Sequence, residues 1–461
     1  MHQGHCDHAL LPNGWANDVR LTVGADGRWQ QIETGVARGD TRSWGRHVIP
    51  GMPNLHSHAF QRAMAGSVER FERPDDSFWS WREAMYRFAG RVDPETLHAV
   101  ARWLYTEMVE QGYTRVCEFH YVHHRPDGRR HQPATAMAQA LIAAAREVGI
   151  GLTLLPTLYQ RGGFRDEPLG ARQQRFAHDS DEFMALCADL ATGSIAAGQR
   201  LGVAIHSLRA VDAHNLRTVV EDDFWRERPL HIHVAEQLRE VEDCIAVHGR
   251  RPIERLFDLV AVDRRYCLVH ATHVDPGELA LIARSGAVVG VCTTTEANLG
   301  DGLFPLPALR TQGGRWGIGS DSHIGLDPRE ELRWLEYQAR LATGRRTVLG
   351  DAGSPDVACN LWLAAVDGGS QAAGAGAAGL TVGADADWLV LDDEDPAFAG
   401  CTTATMLGTW LFAPARHPPA AVGIGGHLVA ERGRHACRDS FAASYRNALQ
   451  TLAAAGPSEL V

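Results

Sequence analysis

Lysine is missing from this chain altogether: all 45 basic residues are arginine, so any metal centre has to be assembled without a lysine side chain. Long apolar runs are missing as well, and no stretch reaches the roughly 20 residues that a membrane-spanning helix needs. The start, Met1 to Trp15, has neither a positively charged leader nor a continuous apolar segment. The expectation is a cytoplasmic protein with no membrane partner. No block of basic residues occurs, and 56 acidic residues against 45 basic ones give a formal charge of -11, which argues against nucleic acid as a partner. The nine cysteines are odd in number and include no Cys-x-x-Cys, so neither a cysteine zinc site nor a disulfide framework is expected.

What the chain does have is length and apolar content: 461 residues, 45% of them hydrophobic, enough for one large core and a smaller second one. Eight short runs rich in Val, Ile and Leu fall between residues 48 and 321, at Val48–Gly51, Arg115–Tyr121, Gly151–Tyr159, Leu201–His206, Leu230–Glu236, Tyr266–Ala271, Ala287–Cys292 and Trp316–Asp321. Between them, apolar residues return every three to four positions, as on one face of a helix, in Pro94–Gln111, Ala134–Val148, Ser180–Ala197, Leu238–Val260 and Pro276–Ser285. Strand and helix in alternation predict an α/β fold, a (β/α)8 TIM-like barrel over residues 48–366 whose active site lies at the carboxyl ends of the strands.

Residues 1–47 and 380–436 read differently. Their short alternating runs (Val19–Val23, Trp388–Leu391, Ala421–Ile424, His427–Ala430) are broken by Gly and Asp turns and predict a small β-sandwich domain built from both chain ends. Asp367–Gly379 is mostly Gly, Ala and Ser, the composition of a flexible connection, and 437–461 is expected to be a C-terminal tail.

The first run leads into His56-Ser57-His58, and alternate side chains of an extended chain share a face, so the two imidazoles point at one place. With 23 histidines in 461 residues, roughly one His-x-His arises by chance, so the pair alone says little. Position adds what the pair lacks. His206, His233, His270 and Asp321 each end a different run, and such ends converge on the barrel mouth. His56, His58, His233 and Asp321 supply the nitrogen and oxygen ligands that one catalytic Zn2+ takes while keeping a position open; Fe2+ or another divalent ion suits the same donors.

His56-x-His58, His233 with Glu236 three residues on, the separate His270 and Ser320-Asp321-Ser322 resemble the amidohydrolase superfamily. The likeness spans nearly the whole chain, as far as Gly383–Asp392, which resembles the segment that returns such enzymes to their small β-domain. In many binuclear members a carboxylated lysine bridges two metals. A chain without lysine cannot build that bridge, so one metal ion is expected, and His233-Val234-Ala235-Glu236 with His270 is similar to the mononuclear deaminase branch. The resemblance implies that Glu236 is the general base and then acid, that His270 hydrogen-bonds the attacking hydroxide, and that Asp321 is both ligand and proton acceptor. The chemistry agrees, since zinc lowers the pKa of a bound water from about 15.7 towards roughly 7. A carboxylate beside it can carry the proton to a departing nitrogen.

The same resemblance implies that Gln61, Arg82, Tyr121, His206 and Arg209 bind the substrate, a small dicarboxylate carrying a linear amidine, with arginine forks on its carboxylates. It also implies a homodimer, and Arg82, far from any strand end, is left to serve its own subunit or a neighbour's. Arg62 is read as an ion pair of the surface. Other readings stay open. Trp79, Trp81 and Phe60 suit a deaminase of a purine or pyrimidine base. A cyclic amide hydrolase of the imidazolonepropionase type releases no ammonia, and a barrel that only binds a metal or ligand has no activity to lose.

Overall fold

A computed structural model describes residues 2–69, 77–193, 195, 198–350, 353–413 and 418–454. Eight parallel strands neighbour one another in the order in which the chain makes them: Met52–Ser57, Tyr113–His120, Gly151–Leu158, Val203–Ser207, Leu230–Val234, Tyr266–His270, Val288–Val291 and Arg315–Ile318. Every residue in them is buried except His206 and Arg315. Strands covered on both faces need such continuous apolar runs. The circle closes between last and first, where Ser57 bridges to Asp321, Asp321 N–H donates to His56 O at 3.0 Å, and His58 N–H donates to Asp321 O at 3.2 Å. A short extra strand, Gln199–Leu201, pairs with the third. The expected (β/α)8 barrel is what the chain forms.

Several outer helices begin and end where local chemistry says they should. Asp93 accepts from Thr96 N–H at 2.8 Å, Pro94 opens the helix Pro94–Gln111, and Gly112 ends it at φ 104°. Pro276–Ser285 likewise starts behind Asp275 and stops at Gly286. Leu238–Val260, read as one helix, is two, Leu238–His248 and Pro252–Leu259, because Gly249 turns left-handed and Pro252 starts afresh. The helix expected over Ser180–Ala197 is seen as Ser180–Gly193, with 194, 196 and 197 outside the described residues.

Both chain ends meet in a second sheet of eight strands. Its order is Arg434–His435, His427–Glu431, Ala421–Ile424, Trp388–Val390, Ser43–Pro50, His2–Leu11, Gly14–Val23 and Trp29–Glu33. Cys6, Val19, Leu21, Trp29, Leu380 and Trp388 are in its own core. Here one expectation needs correction. The run Val48–Gly51, taken for the first barrel strand, belongs mostly to this sheet, where Ile49 pairs with Leu389 and Val48 with Val390. The barrel starts at Met52. Both segments are apolar and buried, so hydrophobicity could not divide them. At the junction a Cβ on Gly51 would lie 2.3 Å from Thr114 Cγ2, so only a bare backbone passes from sheet to barrel.

The Gly, Ala and Ser stretch is not a flexible connection either. Residues up to Ala372 belong to the helix Val357–Ala372, most of it buried. A Cβ on Gly368 would sit 1.9 Å from the Trp316 carbonyl oxygen, and one on Gly369 would sit 3.0 Å from Pro53 Cβ. Small residues let this helix lie directly against the first and last barrel strands. The expected tail is mostly helix as well: Arg438–Ala454 docks on Pro94–Gln111, with Tyr445 stacked on Trp103 at 5.9 Å and Arg102 4.5 Å over Phe441. Residues 455–461 lie outside the described residues. Among the described residues no helix is long and apolar enough to cross a membrane.

If close packing fixes those glycines, Gly368→Ala should lower stability by about 2–3 kcal/mol in denaturant unfolding. Gly376→Ala, where a Cβ meets nothing within 4 Å, should stay within about 0.5 kcal/mol. Equal effects at the two positions would argue that the composition only sets flexibility.

Candidate active site

The carboxyl ends of three barrel strands bring His56, His58, His233 and Asp321 to one point. Nε2 of His56 and Nε2 of His233 are 3.0 Å apart, and Oδ1 of Asp321 is 3.4 Å from Nε2 of both His56 and His58. Four donors around an ion at bonds of about 2.0–2.1 Å have edges of about 3.3 Å, so the set fits a tetrahedral cation. The imidazoles are held in the required tautomer. His58 Nδ1–H donates to Phe119 O at 2.9 Å and His233 Nδ1–H donates to His206 O at 3.0 Å. A carbonyl only accepts, so in both rings Nε2 keeps the lone pair that a metal needs. His56 Nδ1 is buried without a partner among the described residues. Burial, reinforced for His56 and His233 by the neighbouring imidazoles, holds all three rings below the ordinary histidine range and keeps them neutral.

Beneath the ligands lies a layer of struts that the sequence did not advertise. Glu118 accepts from Ala59 N–H at 2.6 Å, Ser57 Oγ–H at 2.7 Å and Tyr105 O–H at 3.1 Å, gripping the His56 to Ala59 turn from below. Burial raises this carboxyl to about 7 against those three hydrogen bonds. Asn54 Oδ1 accepts from Ser320 N–H at 3.0 Å, while its Nδ2 donates to Ser320 Oγ at 2.6 Å. Ala235, His270, Ala271, Asp321 and His323 all take positive φ, between 45° and 68°. Backbone in that region is costly for residues with a Cβ, and its concentration at these strand ends marks a site that the surrounding structure holds in place.

Beside these donors stand Glu236 and His270, the residues expected to move protons. Glu236 Oε1 is 3.7 Å from His270 Nε2, and His270 Nε2 is 3.9 Å from Asp321 Oδ2. On the far side of the ring, Glu296 Oε1 accepts from His270 Nδ1 at 3.2 Å and from Cys292 N–H at 2.9 Å. Burial lowers the proton affinity of His270, but Glu236, Glu296 and Asp321 outweigh it and raise the imidazole to about 10. Glu236 is pushed up to about 7 by burial, against the pull of His270 and Arg209. A carboxyl so placed can both take and give a proton near neutrality. Glu296 was missed from sequence, since a lone acid inside the helix Thr293–Leu299 has no local signature.

The expected substrate residues line the adjoining wall. Gln61 Nε2 donates to Tyr121 Oη at 3.1 Å, with its Oε1 unpartnered. His206 lies edge-on to Tyr159 at 4.5 Å, and burial together with Arg209, His58 and Arg82 keeps it well below the ordinary range. Arg82 therefore stands near His206 of its own chain. Its guanidinium lies 4.7 Å over the Trp79 ring and 5.5 Å over Tyr86, while that of Arg209 lies 5.8 Å over Trp79. Among the described residues Nε of both arginines is buried without a hydrogen bond, and Arg209 lies 3.9 Å from Glu236 and from Glu240. Stacking on an aromatic face leaves the in-plane N–H donors of a guanidinium free. Trp79 is thus an arginine platform, a role that only long-range contact reveals. Tyr86, Tyr159 and Gln173 add a polar wall, with the two hydroxyls 3.2 Å apart and Gln173 donating to Tyr159 Oη at 2.8 Å. Arg62 stands apart, in a two-pronged pair with Glu107 at 2.8 and 2.9 Å.

Neutral imidazoles and a carboxylate converging at the mouth of such a barrel, with a buried carboxylate and a second imidazole beside them, fit a metal-dependent hydrolase. The chain belongs to the amidohydrolase family, whose description matches residues 47–428. Residues 1–42 match the family described as formimidoylglutamate deiminase HutF, N-terminal domain. A curated relative from Pseudomonas aeruginosa, formimidoylglutamate deiminase, is 47% identical over 97% of this chain and 98% of its own. The crystal structure of an amidohydrolase from Brucella melitensis superposes with a TM-score of 0.93 at 43% identity, over 98% of this chain and 100% of that one. An adenosine deaminase from Xanthomonas campestris, solved with bound zinc, shares the fold at a TM-score of 0.78 and 22% identity, over 97% of each chain.

Glu118 offers a test of the struts. Glu118→Gln replaces one acceptor with a donor aimed at Ser57 or Ala59, and zinc affinity, measured by competition with a chromophoric chelator, should fall about 10- to 100-fold. An unchanged affinity would remove Glu118 from the support of the centre.

Proposed function

We propose that this chain deaminates N-formimino-L-glutamate by hydrolysis, giving N-formyl-L-glutamate and ammonia, a step of histidine degradation. The observation that carries the reading is the contact between the two halves of the site: Glu236, the proton carrier, lies 3.9 Å from Arg209, which with Arg82 and Arg239 gathers over the Trp79 ring. A substrate that reaches Glu236 with its amidine therefore has guanidinium forks beside its carboxylates. The likeness to the Pseudomonas aeruginosa deiminase supports the same substrate.

In this reading His56, His58, His233 and Asp321 hold one Zn2+, a choice of metal supported by the donor geometry and the neutral imidazoles. The bound ion supplies the Lewis acidity that makes water a nucleophile near neutral pH. Arg209 and Arg82 fix the two carboxylates, with Gln61, Tyr121 and His206 along the chain between them and the reacting carbon. Glu236 removes a proton from the attacking water as oxygen bonds to the formimino carbon. His270, kept protonated by Glu296 and its other acidic neighbours, steadies the developing charge on that oxygen. The carbon–nitrogen bond to the terminal nitrogen then breaks, its electron pair leaving with the nitrogen. Glu236 returns its proton there and Asp321 takes the last proton from oxygen, so the balance is amidinium plus water to formamide plus ammonium.

The reading includes a homodimer in the cytoplasm. Nine free cysteines support a reducing compartment. Trp334, Tyr337 and Leu341, exposed along one helix, support a second copy as cover.

Zinc-loaded protein should release ammonia from N-formimino-L-glutamate and from neither guanine nor cytosine, with release lost in Glu236→Gln. Ammonia from a ring base alone would overturn the substrate. Arg209→Ala should cost roughly 2–5 kcal/mol of transition-state binding, about thirtyfold or more in kcat/KM, and a loss below tenfold would remove Arg209 from the carboxylate site.

A further inference from the structure

Resting on the amidine reading above, we propose that Asp301 binds the terminal amidinium nitrogen through Oδ2, holding the group that leaves as ammonia and restricting the centre to cationic amidines. Asp301 follows the helix Thr293–Leu299, and its N–H donates to Glu296 O at 2.9 Å. The residue is 4% exposed. Gln237, directly after Glu236, donates its amide to Asp301 Oδ1, whereas Oδ2 is buried with no partner among the described residues. The charged groups that this carboxyl feels are, in order, Glu236, His270, Glu296 and Asp321, so it stands close to the reacting pair.

The neighbouring acids are otherwise engaged. Glu236 lies against His270 and Arg209, and Asp321 lies against His56, His58 and His270. Glu296 accepts from His270 and Cys292. Glu240 has one free oxygen, but its other oxygen accepts from Glu236 N–H at 3.2 Å and lies 3.9 Å from Arg209, at the anion-binding end. Thr272, two residues past His270, also buries an unpartnered hydroxyl, and its methyl lies 3.2 Å from where a Cβ of Gly302 would stand. Burial and then Glu236 push the Asp301 carboxyl up to about 9.

An amidine is protonated at neutral pH, and its terminal nitrogen carries two hydrogens on separate bearings. Glu236 takes one bearing, as it must to deliver the proton, and Asp301 Oδ2 takes the other in a charge-assisted hydrogen bond. After the carbon–nitrogen bond breaks, the nitrogen carries its own two hydrogens and the one Glu236 returned, and the second water proton, taken by Asp321, completes the ammonium. The resulting ammonium leaves with a carboxylate still beside it. A neutral ring amine or a cyclic amide brings no charge to offset the burial of that carboxylate.

The test compares a cation with its neutral counterpart. In zinc-loaded Glu236→Gln protein, calorimetry gives the affinities of N-formimino-L-glutamate and N-formyl-L-glutamate with and without Asp301→Asn. The substitution should weaken the formimino compound by about 10- to 100-fold and leave the formyl compound within about threefold. Equal losses, or no loss, would overturn the assignment. Asp301→Ser is read in the same way, and the unmutated protein gives an independent measure: N-guanidino-L-glutamate should inhibit at least tenfold better than neutral N-carbamoyl-L-glutamate, and equal inhibition again counts against Asp301. Unmutated protein that releases no ammonia from the formimino compound would sink the substrate reading itself. Activity with undiminished amidine binding in Asp301→Asn sinks only this inference.

Discussion

The pairing of the first barrel strand with the last is the constraint on which the site depends. Asn54 and Ser320 are 266 positions apart in the chain, yet two hydrogen bonds join them, and the backbone of His56 and His58 exchanges two more with Asp321. Three of the four side chains proposed to hold the metal stand at that one seam. A barrel left open there would present His233 alone, with the histidine pair and the aspartate on opposite edges. The glycines of Val357–Ala372 matter for the same reason, because that helix lies across the outside of the seam against Trp316 and Pro53.

Closing the ring also gathers charge where water cannot reach. Glu118, Glu236, Glu240, Glu296, Asp301 and Asp321 are all at most 6% exposed. Isolated buried carboxylates are expensive, and the molecule answers in two ways. Glu118 accepts three hydrogen bonds through its two oxygens and Glu296 two through Oε1, and both act as fixed parts of the scaffold. Glu236 is left between His270 and Arg209 with its proton affinity near neutrality, where a proton can move. Burial is the same for both kinds, and the partners decide between strut and carrier.

Much of this was legible before any coordinates. That His56, His58, His233, His270 and Asp321 gather could be read because the first two alternate on one face of an extended segment and the others each end an apolar run, and Pro94–Gln111 and Pro276–Ser285 because their caps are local. The division of Ser43–Pro50 from Met52–Ser57 was not legible, since two buried strands of different sheets look alike in sequence. Gly368 and Gly369 were misread because composition records what a glycine permits and not what lies against it. Glu118 and Glu296 escaped for a related reason: each is a single acid whose partners come from distant segments. Trp79 was noticed as an aromatic, but that Arg82, Arg209 and Arg239 gather over its ring is a matter of contact.

The second sheet joins Ser43–Pro50 to Trp388–Val390, and His47 reaches Asp393 across 346 positions of chain. At 5–20 residues per second a ribosome takes roughly 17 to 70 s to cover that distance. Throughout that interval the four N-terminal strands have no partner along Ser43–Pro50, an open edge of the kind that recruits stray strands. The whole barrel is synthesised before the edge can be closed. The nascent chain therefore makes its catalytic half while its structural half waits, and protection of that edge during translation becomes as much a condition of obtaining the enzyme as any contact in the finished molecule.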